Sequence, residues 1–305
     1  MKDNKFGARP CWLSVHAVFS MLVWIALGLA VSASELSVRG AEGKVRSALP
    51  AVAGTEATPA LNSKLPTLFV VGDSTANNNA NGGLGWGTPF ASYFDATKIN
   101  VLNRARAGRS SRTFLTEGLW DKVIGEMKAG DFVLIQFGHN DAGAINDASR
   151  ARGSLPGLGE ETQEINNLVT KKHEIVHTYG WYVRKFIGDA KAKGATPIVL
   201  SLTVRNIWKD GKVERGPGKY GEWSAEIAKS EGVAFVDATA IIASQYEKMG
   251  KEKVNLLFPV DHTHTGPAGA EINAASVVAG LKGLKDCPLV NDLSEKGKTV
   301  EAASL

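Results

Sequence analysis

The stretch Thr67-Leu-Phe-Val-Val-Gly-Asp-Ser-Thr75 constrains this chain most, because a run of apolar, partly β-branched residues stops abruptly at Gly72-Asp73-Ser74. Its length suits a buried strand. The polar, glycine-rich Asn77-Asn-Asn-Ala-Asn-Gly-Gly83 that follows can continue neither a strand nor a helix. Ser74 therefore falls at the carboxyl end of a strand, where open α/β sheets place their ligands.

The same pattern recurs. Ile99 to Asn103, Asp131 to Phe137, Thr196 to Leu202 and Val233 to Val236 read as further short apolar strands, Asp131 to Phe137 running into Gly138-His-Asn-Asp141. Between them lie segments of helical spacing: Trp86 to Asp95, Phe114 to Met127 with Ser110 or Ser111 as N-cap, Ile175 to Lys193, Tyr220 to Ser230, Ala240 to Met249 and Ala268 to Leu284. Strands alternating with helices predict an α/β protein with a five-stranded parallel sheet covered on both faces. With right-handed crossovers, the flavodoxin-like order 2-1-3-4-5 sets the first and third strands side by side, so Ser74 and the Gly138–Asp141 loop share one crevice. Residues 142–164 carry Arg150, Arg152, four glycines and Pro156 and are too long for a routine connection, so they read as a lid or a substrate-facing loop.

At the N-terminus, Lys2, Lys5 and Arg9 precede the mostly apolar Val15 to Val31, and Val31-Ser-Ala33 offers small residues for cleavage. Residues 1–33 thus read as a signal peptide and the protein as secreted or periplasmic. His16 and Ser20 interrupt the run, which falls short of the roughly 20 apolar residues that cross a bilayer. No stable membrane span is expected once the signal is cleaved; a retained anchor is the alternative. Residues 34–63 read as a disordered linker, 64–285 as one domain and 286–305 as a loose polar tail. Cys11 lies in the signal, which leaves Cys287 without an intramolecular partner. The whole chain carries a formal charge of +4, and losing Lys2, Lys5, Arg9 and Asp3 with the signal leaves it at +2. So small a charge excludes a general nucleic-acid binder.

A serine hydroxyl attacks only when a base takes its proton and a third group orients that base. Asp261-His-Thr-His264, just before the last helix, offers both, and a spacing of three lets the Asp261 carboxylate meet the His264 imidazole. Such a base works when neutral, so activity should rise with pH. Three donors can hold the negative charge that forms on an attacked carbonyl: the N–H groups of Ser74 and Gly108 and the side-chain amide of Asn140. Asp73, His139 and Asp141 read as supports of the same loops. Asp261, His262 and His264 also suit a metal, as do His173 and His177 at a helical spacing of four, although ordinary packing explains the latter pair equally well.

With these residues in order, the chain resembles the SGNH, or GDSL-type, hydrolases, whose four blocks match Gly72-Asp73-Ser74, Gly108, Gly138-His139-Asn140-Asp141 and Asp261-x-x-His264. Within that group it is most similar to rhamnogalacturonan acetylesterases of carbohydrate esterase family twelve, through Gly72-Asp-Ser-Thr75, Asn103-Arg-Ala-Arg-Ala-Gly-Arg-Ser110, Gln136-Phe-Gly-His-Asn-Asp141 and Asp261-His-Thr-His-Thr265. The resemblance spans nearly all of residues 66–284. It implies a three-layer α/β/α sandwich, Ser74 as nucleophile, His264 as base and then acid, Asp261 as its orienter, and an oxyanion hole of Ser74, Gly108 and Asn140. It also implies hydrolysis of acetyl esters on pectic polysaccharide without metal or cofactor, and a monomer is expected. Acetylated xylan is the alternative substrate; a non-catalytic polysaccharide binder and a metal-dependent hydrolase are the alternatives of other classes. Arg106, Arg109 and Arg112 crowd around Gly108 with Arg104, where they either attract galacturonate carboxylates or pair with Glu117 and Asp121. Trp86, Trp181, Tyr182, Trp208 and Trp223 can stack on sugars or fill the core.

Overall fold

A run such as Leu68-Phe-Val-Val71 can be apolar on both faces only if both are covered, and strand β1 (Thr67–Gly72) is buried along its whole length. In the computed structural model, which describes residues 61–304, β1 is an interior strand of a parallel sheet with β2 (Asn100–Asn103), β3 (Phe132–Gln136), β4 (Thr196–Leu200) and β5 (Ala234–Val236). The strand order is β2-β1-β3-β4-β5, as predicted, with Gly72 level with Gln136 across the β1–β3 pair. The proposed signal, Cys11 and most of the proposed linker lie outside the described residues.

Alternation along β1 divides the core in two. Leu68 and Val70 face one helical layer, formed by α1 (Gly87–Phe90), α6 (Ala238–Met249), α7 (Lys251–Asn255) and α8 (Pro267–Gly283). Phe69 and Val71 face the other, formed by α2 (Ser111–Thr116), α3 (Leu119–Glu126), α4 (Tyr179–Ala192) and α5 (Tyr220–Ser230). Trp86, Phe90 and Phe94 stack edge-on in sequence, with ring centres 5.2 and 5.1 Å apart, as their spacing predicts. Trp86 and Tyr182 are core residues, while Trp208 and Trp223 are half-buried against it.

Three expectations are corrected. The helix predicted over Phe114–Met127 breaks into α2 and α3 at Gly118, whose φ of +70° a side chain rarely adopts. The segment read as the start of a helix at Ile175 is instead a hairpin strand, His173–His177, paired antiparallel with Thr162–Asn166. On a strand, His173 and His177 lose the helical spacing that suggested a metal pair: His173 meets Glu164 at 3.3 Å, and His177 stacks on Trp181 with ring centres 3.8 Å apart. The tail is not loose, because Leu289 and Leu293 are buried in the core and α9 (Glu295–Lys298) packs beneath Tyr93. Hydrogen bonds from the Asp95 N–H to the Asp292 carbonyl and from the Ser294 N–H to the Tyr93 carbonyl fasten it, so the described domain continues to residue 304.

Candidate active site

β1 and β3 run so close that a Cβ on Gly72 would lie 2.7 Å from the Gln136 carbonyl oxygen, which is why glycine ends the strand. Beyond it the chain turns, and the buried Asp73 accepts hydrogen bonds from the Thr75 N–H and hydroxyl, both at 2.8 Å. Beneath the turn, Gln136 accepts from the Trp86 indole at 2.8 Å and donates to the Ser201 carbonyl at 3.0 Å. Gln136, the last residue of β3, therefore ties that strand to the start of α1 and the end of β4 under the serine, a bracing role that its place in a strand of apolar residues did not reveal.

The loop before α8 brings in the base. His264 Nε2 is 2.8 Å from Ser74 Oγ, and His264 Nδ1 is 2.7 Å from Asp261 Oδ2. The other Asp261 oxygen accepts the N–H groups of Thr263 and His264 at 2.7 and 2.8 Å. Burial works against the Asp261 carboxylate, but the His264 ring and these two amides together hold it below the usual carboxylate range. The loop itself is clamped by hydrogen bonds from the Asn206 N–H to the His262 carbonyl and from the Leu84 N–H to the Thr265 carbonyl, each 2.7 Å long.

Ser74, Gly108, Asn140 and His264 line one cleft of about 870 Å³. Gly108 has a φ of +79°, which fits glycine, and the Asn140 amide donates to the neighbouring Arg109 carbonyl at 2.8 Å, fixing the two donors relative to each other. Among the described residues, the N–H groups of Ser74 and Gly108 are committed to no other acceptor. The ends of β1, β2 and β3 thus bring Ser74 and all three expected oxyanion donors to one cleft.

The supporting residues are deeply placed. Burial pushes the His139 imidazole down to about 4, with Asp73 opposing and Arg205 reinforcing the shift, so it is neutral at neutral pH. Its Nε2 lies 3.3 Å from the Thr203 hydroxyl. Burial also pushes the Asp141 carboxyl up to about 6, although its hydrogen bonds from the N–H and hydroxyl of Ser111 at the start of α2 work the other way. His139 thus contacts the segment after β4, and Asp141 the start of α2. Among the described residues no three His, Cys, Asp or Glu side chains are grouped as a metal site requires, and no helix is long and apolar enough to cross a membrane.

The arginines depart from expectation. Arg112 is fully buried, bonded to both Glu174 carboxylate oxygens at 2.6 and 2.7 Å and to the carbonyls of Ile145 and Gly153. It pins the hairpin and the 142–153 segment to α2 and is not available to a substrate. Arg109 lines the cleft but is paired with Glu117 at 2.8 Å, Arg104 is paired with Glu126, and Arg106 is exposed outside the cleft. Arg150, Arg152 and Arg205 line the cleft instead. The 142–164 segment therefore lines the cleft in part. None of the five aromatic residues weighed as sugar platforms lines this cleft.

Comparison with known proteins agrees with this geometry. Residues 70–272 match the GDSL-like Lipase/Acylhydrolase family. The chain is 34% identical over 209 residues to a rhamnogalacturonan acetylesterase of Emericella nidulans, covering 68% of this chain and 81% of that protein. It is 29% identical over 250 residues to the rhamnogalacturonan acetylesterase RhgT of Bacillus subtilis, covering 76% and 96% respectively. The crystal structure of the Bacillus subtilis YxiM protein shares the fold with a TM-score of 0.56 at 23% identity; the match covers 72% of this chain and 56% of that one. A serine and an imidazole in hydrogen-bond contact at the carboxyl edge of this sheet, together with the match over residues 70–272, show that the chain belongs to the GDSL-like lipase/acylhydrolase family of serine ester hydrolases.

Proposed function

We propose that this protein removes O-acetyl groups from an acidic pectic polysaccharide, rhamnogalacturonan, through an acetyl-enzyme intermediate on Ser74. The observation that carries this reading is the hydrogen-bonded row Ser74–His264–Asp261 in an open cleft. Ser74 Oγ attacks the acetyl carbonyl while His264 Nε2 takes its proton. The Ser74 and Gly108 amides and the Asn140 side chain receive the oxyanion. Collapse breaks the bond to the sugar oxygen, which leaves with the proton from His264. Water then attacks the acetyl-serine with His264 again as base, and acetate departs as Ser74 is reprotonated. Asp261 holds the ring with Nε2 toward Ser74 and offsets the charge that the ring gains.

The pectic substrate is supported by the two relatives named rhamnogalacturonan acetylesterase, one fungal and one bacterial. Secretion is supported by the composition of residues 1–33, and it places the enzyme where such polymers occur. The protein acts as a monomer and without cofactor in this reading. Acetate release from acetylated rhamnogalacturonan and from acetylated xylan, each with and without chelator, tests it. The expected result is preference for the pectic polymer and indifference to chelator; preference for xylan or loss with chelator would overturn it.

A further inference from the structure

Three arginines near the cleft are already answered by a carboxylate. Arg104, Arg109 and Arg112 face Glu126, Glu117 and Glu174. Three are not: Arg150, Arg152 and Arg205 have no carboxylate within ion-pair distance among the described residues, and all three line the cleft that holds Ser74. The acidic groups in the same cleft are engaged elsewhere, Asp261 with His264 and Glu117 with Arg109. Asp147, close to Arg150 and Arg152, is taken up by the N–H groups of Ser149 and Arg150 and by the Ser149 hydroxyl.

Two of the three, Arg152 and Arg205, are also partly withdrawn from water, while Arg150 is exposed beside them. The Nε of Arg205 is buried without a hydrogen-bond partner. Arg152 is half-buried, donates to the Gly108 carbonyl at 3.1 Å, and feels the like charges of Arg150 and Arg109 against the opposite charges of Asp73 and Asp147, neither of which is within ion-pair distance. Gathering like charges, two of them partly dry, without a directly paired carboxylate is unfavourable, and an anionic ligand relieves it.

Their placement is two-sided. Arg152 rests on Gly108, beyond the end of β2, whereas Arg205 follows β4 and its neighbour Asn206 donates to the catalytic loop at His262. Since the strand order is β2-β1-β3-β4, these cations stand on opposite sides of Ser74 and Asn140. We propose that Arg150 and Arg152 on one side, and Arg205 on the other, form a receptor for the carboxylates of uronic acid residues flanking the acetylated sugar. The receptor selects polymers in which acidic sugars recur on both sides of the acetyl group. This assignment rests on the pectic reading above, and it moves substrate recognition away from the arginines beside Gly108 in the sequence. A guanidinium fork suits a carboxylate in both geometry and charge, whereas a neutral xylan backbone offers it nothing comparable.

Calorimetry on Ser74→Ala protein tests the receptor without turnover. The probes are a deacetylated rhamnogalacturonan oligosaccharide and the same oligosaccharide with its galacturonate carboxyls reduced to alcohols. Binding of the acidic probe should be about tenfold or more tighter than that of the reduced one. Adding Arg205→Gln, or Arg150→Gln with Arg152→Gln, should weaken the acidic probe by a similar factor and change the reduced probe less than twofold. Equal binding of the two probes to the Ser74→Ala protein, a comparison that needs no arginine variant to fold, would overturn the receptor, as would variants that weaken both probes alike. Acetate release from the acetylated polymer by the unmutated protein reports separately on the proposed function. Discrimination by carboxyl without acetate release leaves the receptor standing and sinks the deacetylation reading; release with binding indifferent to carboxyl does the reverse.

Discussion

His264 Nε2 stands 2.8 Å from Ser74 Oγ although 190 residues separate them in the chain. One is fixed by the end of β1 and the other by the loop that enters α8, so their contact depends on two independently anchored elements. Asp261 completes the row and is held below the ordinary carboxylate range by the His264 ring and two amides, against the effect of burial. A depressed carboxylate gives its support above that range and loses it as pH falls through the lowered value. At neutral pH, Asp261→Asn should therefore lower kcat on an aryl acetate by roughly 10³- to 10⁴-fold, by removing the ring's orienter. A variant within tenfold of wild type would show that the ring needs no such partner.

Asn140 spends one amide hydrogen on the Arg109 carbonyl, which aims the other into the cleft. Removing one oxyanion donor typically costs about 10²- to 10³-fold in rate. Asn140→Ala should lose that factor in kcat with little change in KM, which steady-state kinetics would read. A rise in KM alone would assign Asn140 to ground-state binding.

His139 and Asp141 flank Asn140, are buried and are shifted in opposite senses, to about 4 and about 6. The unfolded chain binds more protons than the folded one at His139 between about 4 and its ordinary 6.5, so that residue makes stability rise with pH there. At Asp141 the folded chain binds more protons between the ordinary 3.8 and about 6, so that residue makes stability fall with pH. In wild type the two slopes oppose each other. Denaturant unfolding between pH 4 and 6 should show stability climbing more steeply with pH in Asp141→Asn than in His139→Gln; identical slopes in the two variants would contradict the assignment.

Arg112 and Glu174 form a buried bidentate pair that also gathers the carbonyls of Ile145 and Gly153. Breaking such a pair from one side leaves a buried charge unanswered and costs about 3–5 kcal/mol. Arg112→Met should lower unfolding free energy by that order and expose the 142–177 region to protease. A variant of wild-type stability with a raised KM would instead return Arg112 to the substrate.

The sheet was legible because its strands are continuous apolar runs, a pattern that few other structures share. The hydrogen-bonded row Ser74–His264–Asp261 was legible because each member ends a strand or precedes a helix within a short distinctive motif. The hairpin was not: Thr162-Gln-Glu-Ile-Asn166 buries a single side chain, and His-Glu-Ile-Val-His177 fits a helix as well as a strand. The ordered tail was hidden because two leucines, Leu289 and Leu293, carry its packing amid polar neighbours. The arginines misled for a different reason. Clustering in sequence drew attention to residues 104–112, where glutamates brought in by folding neutralise Arg104, Arg109 and Arg112, while the unanswered cations come from two separate loops.

The central claim is that Ser74 carries the acetyl group of a pectic polymer. Acetate release from acetylated rhamnogalacturonan by wild type and by Ser74→Ala at equal concentration tests it most directly. Steady release by wild type, and a fall of at least about 10⁴-fold in the variant, is the predicted result. Release by Ser74→Ala within a hundredfold of wild type, or none by wild type beside rapid turnover of a neutral acetyl ester, would contradict it.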